Sequence, residues 1–403
     1  MEALERNLPN WIDAFLKYTE NSEPPYLFRK WTAISCIAAA MQRKCYINWG
    51  TALTFYPNLY IVLVGPSATG KGTAMNPGLD ILKEISTIRL SAQATTYQAL
   101  ITALKETNLG DIDMATGASV GHSSMTIFSK EFTVFLGYHN NELMAALCEW
   151  YDCDDDWSYR TQARGKEYIK GVWVNLIGGT TPDLIRSSLP SDSIGGGLTS
   201  RIIFIVEEKK AKLVTMPVQT PAELKLREAL IEDLEKISLL SGRYDFTEGF
   251  AELWTEWCYD AEEHPPFYNP KFDGYIGRRR PHLMKLSMIY SAARGTNDFL
   301  LTRDDLEDSI KTLEEAEMKM EGVFAGVGKS DIASMIHRAT AFLINYGSDR
   351  IPFFEFARYF SGDMDKREMD RVLLTLEASK IITQVSVPGK DGDDYILVNK
   401  DAC

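Results

Sequence analysis

The stretch Leu59-Tyr-Ile-Val-Leu-Val-Gly-Pro-Ser-Ala-Thr-Gly-Lys-Gly-Thr73 limits the folds open to this chain more than any other feature. It begins with an apolar run rich in β-branched side chains, the pattern of a strand buried on both faces of a parallel sheet. A glycine-rich turn from Gly65 to Gly70 follows at once, and Lys71 comes next. Glycines let the turn curl so that successive backbone N–H groups point at phosphate oxygens, and a helix starting there adds its positive end. Gly65, Pro66, Ser67, Ala68, Thr69, Gly70, Lys71, Gly72 and Thr73 are therefore the candidate nucleotide-binding residues, with Lys71 as the mobile cation for the β- and γ-phosphates of ATP. Gly72 stands where the general pattern has Ser or Thr, so the hydroxyl expected on Mg²⁺ is that of Thr73, one position later. Pro77 is expected to break or kink the following helix after barely a turn. The bland alternative is a glycine-rich turn that binds nothing; strand, loop and lysine in register favour nucleotide.

Hydrolysis asks for an acid near the γ-phosphate and a group that stabilises developing charge. A second apolar run, residues 125–128, leads into Ser129-Lys130-Glu131. Glu131, at a strand's C-terminal edge beside the phosphate loop, is the candidate to orient the attacking water. Lys130 occupies the place where an Asp would hold the metal shell, leaving Ser129 or Asp152 as substitutes. A third run, 172–178, leads into Gly178-Gly-Thr-Thr-Pro-Asp183. Thr181, with Thr180 in reserve, is the candidate to sense the γ-phosphate, although it suits a helix cap ahead of Pro182 as well. Gly195-Gly-Gly-Leu-Thr-Ser-Arg201 precedes a fourth run, 202–206. An arginine fixed at a strand start is placed to reach a nucleotide held by the next subunit, which makes hydrolysis depend on assembly.

The net charge is −13, which excludes a uniformly basic nucleic-acid binder but not one whose contacts are confined to a small basic loop. Residues 160–170 form such a segment. Gly165 marks a turn, so a hairpin is expected, with Arg160, Arg164, Lys166 and Lys170 facing the phosphates of a single strand. Tyr159 and Tyr168 either stack on bases or pack, and a merely solvated hairpin carries equal weight. The acidic run 152–156 just upstream is expected to be exposed. No apolar run approaches a membrane span, the N-terminus lacks a signal-peptide core, and the six cysteines form no CxxC pair. These features predict a cytoplasmic protein with reduced thiols and no membrane partner.

A chain of 403 residues is long enough for two or three domains. Residues 1–50 read as a helical N-terminal region, with Trp11, Ile12, Phe15 and Leu16 at helical spacing, a second helix over 28–41 and a strand over 43–49. Residues 51–210 alternate strands with helices such as 99–107 and 141–150, which implies an α/β core with a parallel sheet. Residues 211–325 read as helical over 222–239, 248–262, 281–293 and 303–320, with Pro281 opening its helix. Residues 326–403 read as helices over 331–345, 352–360 and 366–379, then strands over 381–387 and 395–398, a winged-helix pattern. Its wing, 389–394, is acidic, which points to a protein partner rather than duplex DNA.

The order of these motifs resembles the AAA+ ATPases. Leu198-Thr-Ser-Arg-Ile-Ile-Phe204 is similar to the arginine-finger region of the MCM-type helicases. Arg278, seven residues before Lys285-Leu286, resembles the second sensor arginine of that group, and Leu301-Thr-Arg-Asp-Asp-Leu-Glu-Asp-Ser-Ile310 resembles its last lid helix. Tyr56-Pro-Asn-Leu-Tyr-Ile-Val-Leu-Val-Gly-Pro-Ser67, Gly70-Lys-Gly-Thr73 and the Gly-Gly-Thr-Thr-Pro stretch resemble phage and prophage replication ATPases over residues 10 to about 325. The resemblance implies an AAA+ P-loop NTPase core with a helical lid, using ATP and Mg²⁺. It further implies a homo-oligomeric ring, a hexamer, that acts as a DNA helicase or translocase in replication, in the host cytoplasm if phage-encoded. The alternatives are a helicase loader or assembly factor without unwinding activity, a small-molecule kinase (Gly-Lys-Gly-Thr also resembles the adenylate kinase loop), and a scaffold that binds ATP without turning it over.

Overall fold

The computed structural model describes residues 5–51, 53–92, 96–112, 117, 119–137, 140–161, 165–188, 196–324, 331–346, 348–362, 364–385 and 394–399. The chain divides into two compact units, residues 1–324 and 325–403.

The first unit is centred on a mixed five-stranded sheet. Its strands, numbered here in chain order, are β1 (Tyr60–Val64), β2 (Asn108–Ile112), β3 (Ser119–Ser129), β4 (Val172–Thr180) and β5 (Ile202–Val206). Across the sheet the order is β2-β3-β4-β1-β5. β3, β4, β1 and β5 run parallel, as the alternation of strands and helices predicts. β2 is an antiparallel edge, a departure from the expected all-parallel sheet. The link between Ile112 and Ser119 is far shorter than the dozen or so residues a parallel crossover needs, so the chain has to turn back. β1 and β4 are buried along their whole length, which is why β1 is continuously apolar and β4 is apolar apart from Asn175 and its Gly-Gly-Thr end. β3 extends well before residue 125, and its polar residues His122, Ser123 and Ser124 are buried; His122 Nδ1 lies 2.8 Å from Ser124 Oγ.

Helix Lys71–Lys83 follows the loop after β1 and runs through Pro77, against the expected break. Its buried face, Ala74, Met75, Gly78, Leu79, Ile81 and Leu82, packs on helix Tyr26–Met41, and this tertiary burial outweighs the missing N–H. The approach is close enough that a Cβ on Gly78 would lie 2.7 Å from both Cys36 Sγ and Thr32 Cγ2. Helix Tyr26–Met41 is itself buried from Phe28 almost without interruption. Asn175 of β4 ties it to the sheet: its Nδ2 donates to Ser35 O and Oγ at 3.2 and 3.1 Å, while its Oδ1 accepts from Leu59 N at 3.0 Å. The N-terminal helices are thus part of the core on which β1 is laid.

A second sheet places strand Cys45–Trp49 between Gly242–Phe246 and Leu53–Phe55, with Leu300–Leu301 at the edge. Gly-Arg-Tyr-Asp-Phe carries no β-branched run, so this pairing between distant segments has no local signal. Helices Pro221–Ser238, Glu248–Glu263, Arg279–Ala293 and Arg303–Met320 complete the unit. Pro281 is the third rather than the first residue of its helix, still within the turn where no N–H is required.

The second unit contains helices Asp331–Asn345, Phe353–Phe360 and Lys366–Ala378. Its antiparallel sheet runs Arg350–Pro352, Tyr395–Val398, Ile382–Val385, packed over a core that includes Leu343, Ile351, Phe356, Phe360 and Val372. Residues 389–393 of the expected wing lie outside the described residues. No described helix in either unit is long and apolar enough to cross a membrane.

Candidate functional site

At the C-terminal end of β1 the chain turns through residues 65–70 with Ala68 and Gly70 at φ +68° and +88°. Gly65 is obligatory, because a Cβ there would run into the carbonyl of Glu207 and the Thr69 hydroxyl. The helix starting at Lys71 has no side-chain cap on its first N–H groups, and uncapped groups of this kind are able to bind an anion. Lys71 folds back over the loop, its Nζ donating to Gly65 O at 2.7 Å and Pro66 O at 2.9 Å. Burial lowers its pKa, and the nearby Glu131 carboxylate opposes that shift. Thr73 is exposed in the first turn of the same helix.

The ends of β3 and β4 close in beside this loop. Register pairs Val64 with Thr180, and Gly65 N donates to Thr180 O at 3.3 Å. A Cβ on Gly179 would sit 3.1 Å from Lys130 O and 3.4 Å from Lys71 Cβ, so glycine lets three segments meet. Lys130 and Glu131 are both exposed there, immediately after β3. Thr180 is fully buried, and Thr181 Oγ1 accepts from Leu184 N at 3.3 Å, as a cap for helix Pro182–Ser188. The loop, Lys71, Thr73, Glu131, Thr180 and Thr181 thus share one end of the sheet. Among the described residues no three His, Cys, Asp or Glu side chains converge as a metal site of their own.

The two predicted arginines lie at the other end. Arg201 closes the turn Thr199–Arg201, and the next residue, Ile202, pairs with Tyr60, the first residue of β1. The glycine-rich loop follows the last residue of β1, so roughly 13 Å of strand separates the two ends. Arg201 Nη2 meets Asp152 Oδ2 at 2.5 Å, and Arg278 Nη1 meets the other oxygen of the same carboxylate at 3.2 Å. Asp152, read from the sequence as a possible metal ligand, is therefore remote from the glycine-rich loop. Both guanidinium groups lie just under 6 Å from the centre of the Tyr151 ring, and Lys285 Nζ lies 3.8 Å from it. Lys285 also donates to Asn58 Oδ1 at 2.7 Å. Burial brings the Lys285 pKa down to about 8; Cys153 and Asp152 oppose this, while Arg278 and Arg201 add to it. His282, 3.0 Å from the Tyr151 hydroxyl, is pushed down to about 3 by burial and then by Lys285 and Arg278, and stays neutral at ordinary pH. This cluster opens onto a cavity of about 660 Å³ lined in part by Arg43, Tyr56, Trp254, Arg278 and Lys285.

The expected hairpin is present: Asp156–Thr161 pairs antiparallel with Gly165–Lys170, with Arg160 opposite Lys166. Its base is pinned by aromatic contacts. Trp157 stacks on Tyr159 at 6.0 Å, Trp150 meets Trp157 edge-on at 5.4 Å and Tyr97 meets Tyr159 at 5.3 Å. Tyr159 therefore packs, whereas Tyr168 is 57% exposed and Lys170 is exposed. Arg164 lies outside the described residues. The acidic run is exposed as expected, yet Asp152 holds the two arginines and Asp155 holds Arg43 at 2.7 Å. No spacing in the sequence announces the meeting of residues 152, 201 and 278. No protein-family model matches this sequence, and no curated protein does.

Proposed function

We propose that this chain is an AAA+-type ATPase that works as a ring of identical subunits, a hexamer, and moves single-stranded DNA through it as a replicative helicase or translocase. The observation that carries the reading is the separation of the phosphate loop from Arg201 and Arg278 by the length of strand β1. Neither arginine reaches the loop of its own subunit. In a ring, the arginine end of one subunit meets the loop end of the next, and hydrolysis occurs between them.

In this reading Lys71 exchanges its contacts with the Gly65 and Pro66 carbonyls for phosphate oxygens. The Thr73 hydroxyl is the group that fits Mg²⁺, which, when bound, neutralises phosphate charge. Glu131 orients water, Thr181 or Thr180 senses the phosphate, and the neighbour's Arg201 and Arg278 stabilise the charge that develops. The strand order and the hairpin inserted ahead of β4 support the AAA+ assignment. The hairpin, with Arg160, Arg164, Lys166 and Lys170, is the element that grips DNA. The second unit has the helix and strand order of a winged helix and serves to dock a replication protein.

The test is ATP hydrolysis with and without single-stranded DNA, for wild type, Lys71→Ala and Arg201→Ala. The reading expects turnover that DNA stimulates and that either substitution abolishes. ATP binding without turnover in either condition contradicts it and favours a scaffold, or a loader awaiting its partner. Phosphoryl transfer to a nucleoside monophosphate would favour the kinase instead.

A further inference from the structure

We propose that Asp152 is a built-in competitor: in the free subunit its carboxylate occupies the anion position that a neighbour's polyphosphate takes on assembly. The proposal rests on the reading of Arg201 and Arg278 as arginines that act on the next subunit's nucleotide.

Three cations, Arg201, Arg278 and Lys285, surround the face of one buried tyrosine, Tyr151. One carboxylate stands among them, and it spends one oxygen on each arginine. Such a cluster is short of negative charge, and the mutual repulsion is relieved by an anion with more charge and more oxygens than Asp152 has. The Asp152 side chain is 44% exposed and that of Arg278 27%, so the pair faces solvent and its exchange needs no unfolding. A partly exposed ion pair of this kind shifts an equilibrium by only about five-fold. A triphosphate, whose oxygens accept several charge-assisted bonds at once, displaces it. Asp152 thus keeps both arginines ordered and only partly compensated until a nucleotide-loaded neighbour arrives, and it ties subunit association to ATP.

Asp152→Asn keeps the shape of the side chain and removes its charge. ATP turnover and sedimentation velocity are followed against subunit concentration for wild type, Asp152→Asn, Asp152→Glu and Arg201→Ala. Asp152→Asn is expected to lower the half-maximal subunit concentration about five-fold, with turnover at saturating protein held within about two-fold. Asp152→Glu is expected to restore the wild-type midpoint. An unchanged midpoint in Asp152→Asn overturns the competitor. So does an unchanged midpoint with reduced saturating turnover, which would mean that Asp152 aims the arginines in the working state. In either case loss of turnover in Arg201→Ala leaves the interfacial reading standing. If Arg201→Ala turns over like wild type, that reading falls and the competitor falls with it.

Discussion

At its loop end the central sheet draws its binding groups from one continuous stretch, residues 59–73, with short additions after β3 and β4. At its arginine end it gathers Asn58, Tyr151, Asp152, Arg201, Arg278 and Lys285 from separate parts of the chain. The loop end is set by backbone geometry: positive φ at Ala68 and Gly70, no room for a side chain at Gly65, a helix start without a cap. The arginine end is set by charge balance around a buried ring. A site made of backbone is legible in local sequence and tolerates little substitution. A site made of converging side chains is visible only in three dimensions.

The sharpest break between the two ends is expected in catalysis. Lys71→Ala removes the cation proposed to contact phosphate in its own subunit, so ATP affinity and turnover are both expected to fall. Arg201→Ala is expected to lower turnover by about 10³-fold or more. Its ATP affinity, read with a fluorescent analogue, stays within about two-fold of wild type. A matching loss of affinity in Arg201→Ala would erase the distinction between the ends.

A second contrast is structural. Gly78→Val pushes side-chain atoms into Cys36 and Thr32 and is expected to destabilise the first unit by about 1–3 kcal/mol, measured by denaturant unfolding. Substitution of exposed Asp154, near the arginine end, is expected to leave stability within about 0.5 kcal/mol.

The third concerns pH. Lys285 titrates near pH 8 in the folded chain against 10.5 when free. Between those values the unfolded chain keeps a proton that the native state has released, so stability rises with pH across that window; below pH 8 the burial penalty is present in full. Lys285→Met is expected to flatten this rise relative to wild type in unfolding experiments from pH 7.5 to 10.5. Equal slopes for the two proteins would place the charge elsewhere. The smallest expected effect is at the hairpin, where Lys170→Ala removes one of the proposed phosphate contacts. It is expected to reduce the slope of log affinity for single-stranded DNA against log salt by about 0.7.

Much of the fold was legible because its elements are long and strongly patterned. β5, helix Arg303–Met320 and strand Tyr395–Val398 fall where their apolar runs and spacing place them. Strand Asn108–Ile112 and the strand at 53–55 were not, although each pairs with a strand only a few residues away, because Asn-Leu-Gly-Asp-Ile and Leu-Thr-Phe carry no strong strand pattern of their own. The strand at 242–246 was not, since its pairing is set by distant partners and not by local propensity. Pro77 misleads for the same reason: the packing of Gly78 and its neighbours on helix Tyr26–Met41 is invisible to a local rule. In the candidate site the loop and Glu131 were readable as strand ends. Arg201 was readable as a residue fixed ahead of a strand, but its bond to Asp152 and its nearness to Lys285 were not, because they span some fifty to eighty residues of chain.

The measurement that tests the account most directly is complementation between two inactive subunits. Lys71→Ala and Arg201→Ala proteins are each assayed for ATP turnover, then mixed in equal amounts and assayed again. Random assembly gives interfaces in which an intact loop meets an intact arginine, so turnover is expected to return to about a quarter of wild type. If both variants are inactive alone and the mixture stays inactive although the subunits associate, the two ends do not act across an interface, and the central claim is wrong.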